Sequence, residues 1–277
     1  MTLCPAAADT GIRFLRTDIG EDAFVDALAR NVSRTARSTT ISDGKVSVST
    51  IEHVLSAMTG LGVDNVLVKL DAQEVPILDG SARMYAEAIA PDGLEEQDAE
   101  RTWITLREPI VVEGGRKGSW IKIIPSDKPA FDVTIDFNSR VLGIQNVHWN
   151  FDMDYAAEVA PCRTFCFLHE VQWLAFLGLI KGGDVENAIV VVEKPVSRLR
   201  LACLGRRFRQ PLLSVTPEGY LSNLKLRFPD ECGRHKLLDL IGDMRLCGGF
   251  LKAEIQAYKP GHKINTIAAL KVAENLK

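Results

Sequence analysis

The segment GRHKLLDLIGD (residues 233–243) carries the repeat that most restricts how this chain can fold. Its leucines and isoleucine have the spacing of a buried helix, yet His235, Asp239 and Asp243 recur at every fourth position. Residues four apart lie on the same face of an α-helix, so these polar groups form one column. Buried charged groups need partners or a metal ion. The segment therefore predicts a helix, at least half buried, that presents an imidazole and a carboxylate to one point.

The length and composition are those of an ordinary globular protein. The chain has 277 residues, 46% hydrophobic and 25% charged, with a formal net charge of −3, which gives no general attraction to nucleic acid. No stretch approaches the roughly 20 apolar residues of a membrane span, and the start lacks the layout of a secretory signal. The six cysteines include no CxxC pair. They indicate reduced thiols in a cytoplasmic protein.

Strand-like and helix-like segments alternate along the chain, which indicates an α/β or α+β fold. Residues 31–49 predict two strands joined at Asp43 and Gly44, and residues 50–62 predict a helix that ends at glycines. Asp79 is the predicted N-cap of a short helix. A further helix is expected at residues 169–178.

A polar, acidic and turn-rich segment at residues 91–101 is the best linker in the chain. It predicts a boundary between a first α+β domain at residues 1–95 and a second at residues 100–277. The helix that carries the column and a strand at residues 250–259 are expected to close the second domain.

Glu52 and His53 supply what the column lacks. A catalytic zinc takes three protein ligands and keeps a fourth position for water. His53, His235 and Asp239 complete such a set, and Glu52 is then the candidate general base for the water. Each motif taken alone also fits an ordinary pair on a helix surface. Taken together they predict a hydrolytic metal site.

Three further groups acquire roles beside such a site. His262 follows a Pro–Gly turn and is the candidate for a second acid–base group. A carboxylate such as Asp243 would orient this imidazole and favour its protonated form. Lys236 is the candidate for contact with an anionic part of the substrate.

Four separated segments resemble one known family. They are STIEHVLSAMTGLGVDNVLVKLDAQEVPILDGSA (49–82), CRTFCFLHEVQWLAFLGLIKGGDVENAIVV (162–191), RHKLLDLIGD (234–243) and KPGHKIN (259–265). Together, in this order over nearly the whole chain, they resemble the UDP-3-O-acyl-N-acetylglucosamine deacetylases. These are zinc amidases of the committed step of lipid A synthesis in Gram-negative bacteria.

The resemblance implies a role for individual residues of this sequence. It implies zinc ligands at His53, His235 and Asp239, a general base at Glu52, an acid–base histidine at His262 oriented by Asp243, a carbonyl-polarising Thr164, substrate contacts at Lys236 and Phe165, and an apolar acyl-chain passage lined by Val171, Ala188 and Val190. Cys166 stands where the family has glycine in the segment RTFGF. Thr164 keeps its place in that segment.

The resemblance also implies a fold and partners. The fold is a two-domain α+β sandwich in which each domain is a β-sheet and the α-helices pack between the two sheets. The implied substrate is UDP-3-O-(3-hydroxyacyl)-N-acetylglucosamine, and the implied state is a monomer, fused to or associated with a hydroxyacyl-carrier-protein dehydratase in one lineage. The family's first strands, with a GxGxHSG segment, have no counterpart before Met1. We therefore expect an N-terminally shortened member.

Three other readings stay open at this point. One is a zinc amidase that acts on a different acylated amine. The second is a catalytically impaired scaffold that still binds zinc. The third is nucleic-acid binding through residues 197–210, which contain five arginines. A solvated helix face is the more common explanation of such a run, and it is the interpretation preferred here.

Overall fold

The computed structural model describes residues 1–90, 93–114, 118–170, 187–207 and 213–276. Its α-helices are α1 (Glu52–Gly60), α2 (Arg83–Ile89), α3 (Tyr155–Glu158), α4 (Arg198–Arg207), α5 (Glu231–Met244) and α6 (His262–Glu274). Its strands are β1 (Thr2–Pro5), β2 (Ile12–Arg16), β3 (Phe24–Asp26), β4 (Val32–Arg34), β5 (Thr40–Asp43), β6 (Val46–Ser49), β7 (Val66–Leu70), β8 (Trp103–Thr105), β9 (Ile110–Glu113), β10 (Trp120–Pro125), β11 (Ala130–Asp136), β12 (Ile144–Asn150), β13 (Phe165–Phe167), β14 (Ile189–Val191) and β15 (Phe250–Tyr258). Short 3-10 helices cover Ala29–Asn31 and Arg245–Cys247.

The first seven strands form two sheets. One sheet has the order β1–β7–β2–β3, in which β2 and β7 are parallel and the outer pairs are antiparallel. The other is the antiparallel meander β4–β5–β6. Its β5–β6 hairpin turns at Gly44, which has the positive φ of 56° that a tight hairpin turn requires. The predicted hairpin is confirmed, and β4 adds a third strand that the prediction lacked.

A larger sheet follows, with the order β12–β11–β15–β10–β9. The central strand β15 runs parallel to β11 and antiparallel to β10, and β8 pairs with its first residues. Buried and more exposed residues alternate along β11, so one face of this sheet covers the core. The short parallel pair β13–β14 stands apart from this sheet.

The helices α1 and α5 pack against each other because a glycine lets them approach closely. A Cβ atom on Gly242 of α5 would lie 2.0 Å from the backbone oxygen of Glu52, so no side chain fits there. α5 also packs on β11 and β12, and α6 packs on α5, β9 and β10. One continuous hydrophobic cluster runs from Phe14 in β2 to Val272 in α6. The close packing of α1 on α5 at Gly242 brings the start of α1 beside the polar column of α5.

The predicted α+β sandwich, with helices packed between sheets, is confirmed. The boundary between residues 95 and 100 stays a prediction. The cap at Asp79 was wrong: α2 has Ala82 at its N-cap, and Asp79 instead accepts hydrogen bonds from the backbone and hydroxyl of Ser81. Helix α6 was not predicted from the sequence.

The helix predicted at residues 169–178 lies outside the described residues from position 171 onward. Among the described helices, none is both long and apolar enough to cross a lipid bilayer.

Candidate active site and metal centre

Three buried side chains of ligand type meet at one point. His53 lies near the start of α1, and His235 and Asp239 lie one turn apart on α5. Their donor atoms all lie within 4.8 Å of one another. Asp239 Oδ1 is 3.7 Å from His53 Nε2 and 3.5 Å from His235 Nε2. The structure therefore brings together two groups from one helix, as their spacing predicted, and a third group from another helix.

The hydrogen bonds around this cluster leave one ligand atom of His235 and one of Asp239 free to bind a metal ion. His235 Nδ1 lies 3.1 Å from the backbone oxygen of Cys162, and donation there leaves the Nε2 lone pair facing the cluster. Lys236 Nζ donates to Asp239 Oδ2 at 2.6 Å. Asp239 Oδ1 is buried without a hydrogen-bond partner among the described residues. Since buried polar atoms are nearly always paired, this oxygen indicates a place for a cation.

The protonation states also suit a metal ion. Burial lowers the pKa of His53 to about 4 and that of His235 to about 3. Burial acts to raise the pKa of Asp239, but Lys236 and the nearby imidazoles outweigh it, so that this pKa is lowered. Two neutral imidazoles and a carboxylate are the forms that bind a metal. The three residues thus fit a divalent cation that accepts nitrogen and oxygen ligands.

Glu52 lies beside this cluster as a buried carboxyl group. Its Oε2 accepts a hydrogen bond from the backbone nitrogen of Thr39 at 3.0 Å, and its Oε1 is 3.9 Å from His262 Nε2. Burial raises the pKa of Glu52 to about 7, and the attraction of His262 partly offsets this effect. A carboxyl group with a pKa near neutrality can both accept and return a proton under physiological conditions.

His262 opens α6 and is held by a carboxylate. Its Nδ1 donates to Asp243 Oδ2 at 2.9 Å, and Asn265 Nδ2 donates to the same oxygen at 2.9 Å. Burial acts to lower the pKa of His262, but Asp243, Glu52 and Asp239 outweigh it and raise this pKa to about 10. At neutral pH, His262 is therefore an imidazolium ion that faces Glu52. The predicted pairing of His262 with Asp243 is present in the structure.

Lys236 and Phe165 lie next to the cluster of His53, His235 and Asp239, whereas Thr164 is placed through its backbone. The Lys236 ammonium lies 5.6 Å from the centre of the Phe165 ring, which also stands edge-on to His235. Thr164 donates from its backbone nitrogen to the oxygen of Gly80 at 2.7 Å. Its side chain is half-buried, with Cγ2 next to the backbone of Gly80. Lys236 donates to Asp239, so a contact with substrate requires the lysine ammonium to donate to Asp239 and to the substrate at the same time.

The three residues predicted to line an acyl passage differ in burial and in whether the structure describes them. Val171 lies outside the described residues. Val190 is 1% exposed and belongs to a small hydrophobic cluster that includes Val192 and Leu221, separate from the main core. Ala188 is half-buried just before β14, and its backbone oxygen accepts from Asn223. The passage therefore stays a prediction.

Strained backbone conformations surround the site. Six non-glycine residues among those described have positive φ, and four of them lie two or three positions before a residue of the site: Arg37, Thr50, Leu78 and Lys259. Thr50, with φ of 62°, is a β-branched residue for which this conformation is a clear outlier. Each such residue costs about 1–3 kcal/mol and persists where the surrounding structure requires it. Their grouping supports a functional role for the loops that lead into Thr39, Glu52, Gly80 and His262.

Two residues of the site, Thr39 and Asn265, were not predicted from the sequence. Thr39 is fully buried and donates to both Glu52 and Asp243. No spacing could have found it, because Thr39 and Asp243 are 204 positions apart. Asn265 lies one helical turn after His262, so the two share a face of α6. This spacing would have identified Asn265 as a site residue if α6 had been predicted.

The fold and site together define a class of protein. A buried set of two histidines and one aspartate, with a carboxyl group of raised pKa and an imidazolium beside it, is the arrangement of a metal-dependent hydrolase. The family model of UDP-3-O-acyl N-acetylglycosamine deacetylases matches residues 1–274 of the chain, and the chain belongs to this family. The family recognised from the four sequence segments is thereby confirmed.

Individual relatives agree with this assignment. The chain is 39% identical over 277 residues to the bifunctional enzyme LpxC/FabZ of Porphyromonas gingivalis, covering 100% of this chain and 60% of that protein. It is 40% identical over 268 residues to the UDP-3-O-acyl-N-acetylglucosamine deacetylase of Pseudomonas entomophila, covering 96% of this chain and 80% of that protein. The deacetylase of Saccharophagus degradans is 38% identical over 275 residues, or 98% of this chain and 82% of that protein. The chain thus spans less than two thirds of the length of the bifunctional relative.

Proposed function

We propose that this chain is a zinc-dependent deacetylase that hydrolyses the N-acetyl group of UDP-3-O-(3-hydroxyacyl)-N-acetylglucosamine. This is the committed step of lipid A biosynthesis. The observation that carries the proposal is the buried His53, His235 and Asp239 cluster with Glu52 beside it. The family membership and the printed names of the relatives support the substrate.

The metal proposed is zinc, held by His53, His235 and Asp239. Two imidazole nitrogens and one carboxylate oxygen are a common catalytic zinc set, which leaves a position for other groups. Bound there, zinc would polarise the amide carbonyl and lower the pKa of a water molecule.

The chain's own residues move the protons. Glu52 accepts a proton from the attacking water, whose oxygen bonds to the acetyl carbonyl carbon. Thr164 donates a hydrogen bond to the carbonyl oxygen as negative charge develops there. The carbon–nitrogen bond then breaks, and the amine nitrogen takes a proton from His262 or Glu52. Acetate and the free amino sugar nucleotide leave.

The remaining groups hold the substrate and the acid–base residues. Asp243 orients His262 and favours its protonated form, as the 2.9 Å hydrogen bond allows. Lys236 and Phe165 contact the substrate next to the metal. Ala188, Val190 and Val171 are proposed to line the acyl-chain passage. The bifunctional names of relatives support a further proposal that such a chain also works joined to a second enzyme.

The test is acetate release by the purified, zinc-loaded chain from the UDP-linked substrate, with and without a chelator. We expect turnover with zinc and none after chelation. A panel of substrates that vary the nucleotide and the acyl length identifies the amine. Bound zinc without acetate release from any substrate would contradict the proposed activity and favour a metal-binding scaffold.

A further inference from the structure

A buried ion pair between Glu231 and Arg163 joins the helix of the metal ligands to the segment that carries Thr164. Glu231, the first residue of α5, is fully buried, and Arg163 is 5% exposed. Glu231 Oε1 accepts from Arg163 Nε at 2.8 Å and from the backbone nitrogen of Arg163 at 3.1 Å. Glu231 Oε2 accepts from Arg163 Nη2 at 3.1 Å and from the backbone nitrogen of Arg227 at 2.6 Å.

The backbone part of this contact matters most for the site. A salt bridge between two side chains alone would leave the local main chain free to shift. Here the carboxylate binds the amide of the residue directly before Thr164. Arg163 Nη2 also donates to the oxygen of Lys225 at 2.7 Å, which fixes the far end of the guanidinium. Glu231 thus sets both the backbone and the side chain of Arg163.

The backbone of Thr164 is then held from three directions. Its nitrogen donates to Gly80 at 2.7 Å, its oxygen accepts from Ile189 at 2.8 Å, and the preceding amide is bound by Glu231. The Gly80 contact is tight, since a Cβ there would lie 3.2 Å from Thr164 Cγ2. These contacts fix the direction of the Cα–Cβ bond of Thr164.

The same segment reaches the metal cluster. Cys162, just before Arg163, supplies the backbone oxygen that pairs with His235 Nδ1. His235 lies one turn after Glu231 on α5, so Glu231 and His235 contact neighbouring residues of one short segment. The two contacts set the distance between the metal ligands and Thr164.

We propose that Glu231 is a positioning residue, which acts through Arg163 to place the Thr164 hydroxyl for the reaction. This inference rests on the proposed deacetylase function. Replacing a buried ion pair by apolar residues is often neutral for stability, so stability alone gives little reason for five hydrogen-bonded contacts at this point. A displacement of about 1 Å in a catalytic group can cost about 100-fold in rate.

The test is a double-mutant cycle of Glu231→Gln and Thr164→Val with zinc-loaded protein. We expect Glu231→Gln to lower kcat between about 10-fold and 100-fold with little change in KM, because Thr164 acts on the transition state. In the Thr164→Val background, the same change should lower kcat less than about 3-fold. Zinc content and melting temperature are measured for every variant.

Asp230→Asn is the matched control. Asp230 is the adjacent carboxylate at the start of α5, and it pairs with Arg234 at 2.8 Å instead of with Arg163. We expect wild-type kcat for this variant. Should Glu231→Gln fold poorly, the double variant Arg163→Met with Glu231→Met removes the pair without leaving a buried charge. The same loss of kcat is expected from it.

Each outcome decides between the alternatives. Losses that add fully in the cycle, or a folded pair-deleted variant with wild-type kcat, would overturn the positioning role. A wild-type chain that binds zinc but releases no acetate would overturn the proposed function, and this inference with it. Non-additive losses with unchanged zinc content support the role of Glu231.

Discussion

Thr39 Oγ1 lies 2.6 Å from Asp243 Oδ1, although the two residues are 204 positions apart. The backbone nitrogen of the same threonine donates to Glu52 at 3.0 Å. Thr39 therefore ties together the carboxyl group proposed as the base and the carboxylate that holds His262. Asn265 and His262 bind the other oxygen of Asp243, so all three donors fix its orientation.

Removing the Thr39 hydroxyl should weaken this arrangement without changing its shape. Thr39→Val keeps the side-chain volume but leaves Asp243 without one charge-assisted hydrogen bond, and we expect kcat to fall about 10-fold or more. Thr39→Ser restores the hydroxyl and should recover most of the rate. Steady-state acetate release measures both variants. Wild-type kcat in Thr39→Val would contradict the proposed role.

Replacing Glu52 should separate metal binding from turnover. Glu52→Gln keeps the hydrogen bond from Thr39 but removes the base, so kcat should fall about 10²–10⁴-fold while zinc stays bound. Glu74→Gln is a suitable control, because Glu74 pairs with Thr50 on the adjoining loop. Metal analysis and acetate release are run on the same samples. A Glu52→Gln protein with normal turnover would remove Glu52 from the mechanism.

Metal binding should stabilise the fold as well as support the reaction. A ligand at about 1,000 times its Kd stabilises the native state by about 4 kcal/mol. We therefore expect chelation to lower the melting temperature and zinc to restore it. His235→Ala removes one ligand, and its melting temperature should not respond to zinc. A zinc-dependent rise in that variant equal to the wild-type rise would place the metal elsewhere.

The pH profile of kcat/KM should be bell-shaped. Glu52 must be deprotonated to accept a proton, so activity rises with pH through its pKa, which is about 7 without metal and lower beside a bound cation. His262 must be protonated, so activity falls as pH rises through its pKa of about 10. His262→Ala should lack this alkaline fall and have a lower maximum. An unchanged alkaline limb in that variant would assign it to another group.

Local periodicity explains which parts of the site were predictable. His235 and Asp239 were readable as a pair because a helix places every fourth residue on one face, and the surrounding leucines indicated that this helix is buried. Glu52 and His53 were recognisable as candidates by residue type and the number of ligands a zinc ion needs. Asp79 was assigned as a cap from its residue type, but in the structure its carboxylate accepts from Ser81 and Arg227.

The sequence by itself determined the helices α1 and α5, the β5–β6 hairpin, the ligand types on α5 and the family, but not α6. Only the tertiary structure decided that α1 and α5 touch at Gly242, that Thr39 reaches Asp243, and that Glu231 binds Arg163. The reason is physical: helix and strand patterns depend on neighbours within a few residues, so the local spacing of residue types indicates them. Contacts between distant segments depend on how whole elements pack, and no spacing along the chain records them.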